Sequence, residues 1–65
     1  MKPAEIRNLS TTEIRAKLND AREEYMNLRF QMAIGGLKDY TRLRITRREI
    51  ARFLTVLKER GEAVE

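Results

Sequence analysis

Apolar residues fall into two runs of helical spacing on either side of a glycine pair. In the first, Ile14, Leu18, Ala21, Tyr25, Leu28 and Met32 recur at alternating steps of four and three, which keeps them on one side of an α-helix. In the second, Leu43, Thr46, Ile50, Phe53, Leu54 and Leu57 share one face of residues 41–60. Ser10 stands three residues before Glu13, the spacing of a capping box, and Leu9 with Ile14 occupies the positions of a hydrophobic staple. Pro3 suits the first turn of a short helix ahead of them. Either Gly35 or Gly36 can take the left-handed conformation that closes a helix. Leu37, Lys38 and Asp39 complete the turn, with Asp39 as N-cap of the second helix. Gly61 ends that helix, and Glu62, Ala63, Val64 and Glu65 carry too little apolar content to dock, which predicts a frayed tail.

These signals predict an all-α fold, an antiparallel two-helix hairpin with a short amino-terminal helical turn. Residues 1–65 form a single domain, with a helix over about 10–35, a turn at 35–39 and a helix over about 40–60. The helices are about 36 and 31 Å long at 1.5 Å per residue. Antiparallel pairing sets Leu28 and Met32 toward Leu43, and Ile14 and Leu18 toward Leu54 and Leu57, with Ile6 or Leu9 over the open end. Tyr25, Met32 and Phe53 are packing residues in this arrangement, not parts of a cofactor box.

Length and composition narrow the chemistry. A chain of 65 residues has no room for a deep pocket and sits near the lower limit for folding without a staple. It has no cysteine for a disulfide, and without cysteine or histidine the usual zinc ligands are missing, so neither metal nor cofactor is expected. No nucleophile-and-base pair supports a helical enzyme acting on an anionic substrate. The first residues lack the apolar core of a secretory signal, and no apolar run reaches membrane-spanning length, so the chain reads as soluble and intracellular. The absence of cysteine agrees with a reducing compartment.

Charge is less evenly spread than hydrophobicity. Residues 38–52 hold six basic and two acidic side chains and so account for the whole net charge of +4. An excess confined to one segment is the footprint of a nucleic-acid or anionic surface contact. Arg44, Arg48 and Arg52, spaced four apart, form a ladder roughly opposite the apolar face. A run of charges on a helix is ordinarily a solvated face. Here five of the six basic residues are arginine, whose planar fork suits phosphate, and no carboxylate lies three or four residues from Arg44 or Arg48. Both features favour nucleic-acid contact. A second apolar set points away from the seam. Met26, Phe30 and Ile34 lie on the far side of the first helix and Ile45 and Val56 beside Arg52, giving candidates for a protein contact. The competing expectation is that the amino-terminal turn folds back over Phe30 and Ile34, since Ile6 also needs cover. A helical module that dimerises through its heptad seam is the alternative to a nucleic-acid role.

Leu28-Arg29-Phe30-Gln31 followed by Ala33, Gly35 and Leu37, then Arg47-Arg48-Glu49-Ile50-Ala51-Arg52 and Thr55, resembles the bacterial large-subunit ribosomal protein family numbered twenty-nine. The likeness covers nearly the whole chain. Gly36, Thr46 and Leu54 depart from the residues common in that family. The resemblance implies a non-catalytic, cytoplasmic component of the large ribosomal subunit. It implies a long-helix hairpin near the polypeptide exit, bound to large-subunit ribosomal RNA beside a neighbouring ribosomal protein, with nascent-chain factors docking nearby. Carried onto this sequence, the RNA-facing residues are Arg29, Arg44, Arg47, Arg48 and Arg52.

Overall fold

The computed structural model describes residues 1–63, and Val64 and Glu65, half of the tail read above as frayed, lie outside the described residues. Three helices follow in order: α1 (Pro3–Arg7), α2 (Thr11–Ala33) and α3 (Thr41–Glu59). The start of α2 is fixed by a complete capping box. Ser10 Oγ accepts from the Glu13 amide at 3.1 Å, and the Ser10 amide donates to Glu13 Oε1 at 3.3 Å. Both long helices end in the same glycine device. Gly35 (φ 76°) follows the last turn of α2, and Gly61 (φ 74°) that of α3. The next amide donates back five residues, Gly36 to Gln31 O at 2.8 Å and Glu62 to Leu57 O at 3.0 Å, closing carbonyls that would otherwise face water alone.

The long helices run antiparallel, as their cross-links show: Arg42 Nε donates to Glu24 Oε1 at 2.6 Å near the turn, and Arg15 Nη2 to Glu62 Oε1 at 3.3 Å at the opposite end. The core lies toward that opposite end. Ile14, Leu18 and Ala21 from α2 meet Phe53, Val56 and Leu57 from α3, and Ile6 of α1 closes the cluster with no exposed surface. Leu28, Met32 and Leu43, nearer the glycine pair, are only half-buried. Thr46 is buried within the α3 face, its hydroxyl satisfied by donation to Arg42 O at 2.8 Å.

α1 packs on α3 and is held there by arginines. Arg7 donates from Nε and Nη2 to the two carboxylate oxygens of Glu59, each at 3.2 Å. Arg60 donates from Nη2 to Arg7 O and Leu9 O at 3.0 and 2.8 Å, and from Nη1 to Thr11 Oγ1 at 3.2 Å. One guanidinium thus ties the elbow between α1 and α2 to the end of α3.

This packing corrects four expectations. Val56 is not an outward contact residue. At 2% exposure it is buried in the core, because α1 covers the flank of α3 on which it stands. The amino-terminal segment does not fold back over Phe30 and Ile34, which remain 65% and 66% exposed. The N-cap of α3 is Tyr40 and not Asp39, whose Oδ1 accepts from the Thr41 amide at 2.8 Å from one position further out. Glu62, read as part of the frayed tail, is tied to both Leu57 and Arg15.

Two of these carboxylates give the fold a pH dependence. The Thr41 amide holds Asp39 below the usual carboxylate range, helped by the Thr41 side chain and by Arg44, and the hydrogen bond from Arg7 does the same for Glu59. A group with a depressed folded pKa stabilises the fold above its unfolded pKa and loses that contribution as pH falls through the folded value. Thermal midpoints followed by circular dichroism should therefore be level above about pH 5 and decline below about pH 4. The double substitution Asp39→Asn and Glu59→Gln should flatten the decline, and an equally steep decline in that variant would contradict the assignment.

Candidate nucleic-acid interface

The outer face of α3 is basic because the helix places residues three and four apart beside one another. Arg44, Arg47 and Arg48 line one hollow together with Ala51. In the helical net these four positions form a diamond with Ala51 at the corner that carries no guanidinium. All four residues are exposed. Among the described residues, no hydrogen bond or ion pair engages Arg44, Arg47 or Arg48. Arg44 exerts only the longer-range attraction on Asp39 noted above. Their donors are directed into solvent.

The other arginines differ in this respect. Arg7, Arg15, Arg42 and Arg60 are engaged in the internal contacts described, and Arg52 Nη1 donates to Met1 O at 2.8 Å. Glu49, three residues before Arg52 and a candidate partner for it by spacing, instead lies 4.0 Å from the Met1 amine. One bond uses one of five guanidinium donors, so Arg52 keeps most of its capacity. It lines a second hollow, between α1 and α3, with Pro3, Arg7, Ala51, Thr55 and Val56. Arg29 stands apart on α2, its guanidinium 5.9 Å above the Tyr25 ring and Nη1 3.4 Å from the Tyr25 hydroxyl.

Of the five predicted RNA-facing residues, then, the structure brings Arg44, Arg47 and Arg48 together, sets Arg52 in the adjoining hollow and leaves Arg29 on another helix. Arg7 and Ala51 were not singled out from the sequence. Ala51 was within reach, since it lies three and four residues from Arg48 and Arg47 and seven from Arg44. Arg7 was not, because its place beside the basic face depends on how α1 docks. Met26, Phe30, Ile34 and Ile45 are exposed on the protein's surface, with Met26 the most open of them at 70%. The heptad seam offered as a dimer interface is consumed inside the chain, with Ile14, Leu18 and Ala21 buried against α3.

The described surface thus pairs a hollow lined by three exposed arginines with a separate set of exposed apolar residues. A family model described as Ribosomal L29 protein matches residues 4–60. Large ribosomal subunit protein uL29 of Mycolicibacterium smegmatis is 53% identical over 58 residues, covering 89% of this chain and 75% of that protein. Its counterpart in Persephonella marina is 47% identical over 60 residues, covering 92% of this chain and 88% of its own length. The protein of the same description from Mycobacterium tuberculosis is 52% identical over 58 residues, covering 89% of this chain and 75% of that protein.

Proposed function

Because the chain belongs to the ribosomal L29 protein family, we propose that it holds large-subunit ribosomal RNA through the outer face of α3, near the polypeptide exit. Its role is structural and non-enzymatic: it is a component of the large ribosomal subunit, on the ribosome in the cytoplasm. The observation that carries the RNA reading is the hollow in which Arg44, Arg47 and Arg48 stand exposed and without internal partners. Guanidinium groups left free on a rigid helix gain most from phosphates, which accept two parallel N–H bonds. The helix matches a folded backbone better than base edges, so recognition is of RNA shape and phosphate position. The position near the exit rests on the family resemblance alone.

Met26 and Phe30 on α2 and Ile34 at its C-cap form an apolar stripe, and Ile45 adds a further exposed residue on α3. A polyanionic backbone gains nothing by covering them, whereas a protein does. They are the contact residues for a neighbouring ribosomal protein and for factors that meet the nascent chain. Arg29, braced by Tyr25, is the outlying RNA contact on α2.

The test is a titration of the purified protein on large-subunit RNA fragments across a salt series, with co-sedimentation on large subunits washed in moderate salt. Affinity should fall as salt rises, with a logarithmic slope of about −2 to −4 for three to five phosphate contacts. A salt-independent affinity, or loss from washed subunits, would overturn the reading.

A further inference from the structure

The two hollows on α3 are adjacent and share one residue. Ala51 lines both the arginine hollow and the hollow between α1 and α3. We propose that they form one trough seating a single ribose–phosphate strand, with Ala51 as the point of closest approach between helix and RNA. The proposal rests on the RNA-binding reading above and adds to it a path and a determinant that is not itself charged.

The geometry follows from the helix. Arg44, Ala51 and Thr55 lie nearly in line along α3, with Arg47 on one side of that line and Arg48 and Arg52 on the other. From Arg44 to Thr55 the helix rises about 16 Å, a length that several successive phosphates of one strand can follow. A long side chain at position 51 would hold a strand away from guanidiniums on both sides at once. The alanine methyl lets the strand descend until Arg44, Arg47 and Arg48 reach it before the saddle and Arg52 after it. The Thr55 hydroxyl donates to Ala51 O at 2.8 Å and is folded back against the helix, so it too leaves the floor low. α1 forms the far wall through Pro3, and Arg7 stands at that wall with its charge shared with Glu59.

Substituting Ala51→Leu and, separately, Thr55→Leu tests the path without altering any charge. Both positions are exposed, and leucine is a good helix former, so helicity and thermal midpoint should stay at the wild-type level. Each variant should bind large-subunit RNA fragments about fivefold more weakly at fixed salt, the loss of roughly one phosphate contact. Ala16→Leu, the same change at an exposed α2 position outside both hollows, should bind as wild type. Wild-type affinity in Ala51→Leu overturns the trough. A loss in Ala51→Leu with none in Thr55→Leu also overturns it, since the strand then ends at the saddle. The charge variant Arg44→Gln, Arg47→Gln, Arg48→Gln separates the two levels. If that variant binds normally, the RNA reading itself fails, and if it alone loses affinity, only the trough does.

Discussion

Replacing Phe53 with alanine should leave most of the free chain unfolded at room temperature. Phe53 is 3% exposed and stands in the one cluster where all three helices meet. Truncating a buried phenylalanine costs about 3–5 kcal/mol through lost transfer energy and the cavity left behind. A single core in a chain this short, with no disulfide, rarely supplies more than about 3–5 kcal/mol in total. The half-buried residues near the glycine pair cannot compensate, because Leu28, Met32 and Leu43 already contribute whatever their incomplete burial allows. Circular dichroism of the purified variant should show largely lost helicity, and a cooperative melt with a midpoint close to wild type would contradict the placement of the core. Excess RNA should restore part of the helicity, since a ligand that binds only the folded state draws the equilibrium toward it.

Exchanging Arg44, Arg47 and Arg48 for glutamine should do the converse, leaving the fold intact and removing most of the RNA affinity. None of the three contributes a hydrogen bond or ion pair to the described structure, and glutamine is nearly as good a helix former as arginine. Three phosphate contacts at roughly 1 kcal/mol each correspond to about a hundredfold weaker binding. Because each arginine also releases a counterion, the salt slope should flatten by about two to three. The slope is the decisive readout. A weaker complex with an unchanged slope would mean that these side chains act through shape and not through charge. The same three changes in Arg7, Arg15 and Arg60 would confound the measurement, because those residues tie the helices together.

The all-helical hairpin was legible in the sequence because its signals are local. The capping box at Ser10 and Glu13, the glycine after α2 and the three-four spacing of Ile14, Leu18 and Ala21 each act over a few residues, and the structure forms each as its spacing dictates. What was not legible depends on tertiary placement. α1 has only one residue, Ile6, that is wholly buried, and no spacing rule says which flank of the hairpin so short a helix will cover. It covers Val56, so a residue that looked outward became core, while Phe30 and Ile34 stayed open. The basic face was legible as a set of arginines, but its division into engaged and unengaged members was not. Arg52 differs from Arg48 in the sequence by having Glu49 three residues before it, but the partner it takes is Met1 O, which only the placement of the amino-terminal segment supplies.

The core joins the beginning of the chain to its far end, with Ile6, Ile14 and Leu18 against Phe53, Val56 and Leu57. Synthesis makes the first of these long before the second. Until α3 has been completed, α1 and α2 have no apolar surface on which to settle, and an isolated amphipathic helix of this length is marginal in water. The hairpin therefore cannot fold progressively as it is made. Folding should accordingly be a late, nearly all-or-none event that waits for Phe53, Val56 and Leu57, and circular dichroism of fragments ending before Phe53 should show an unfolded chain in place of a smaller stable one.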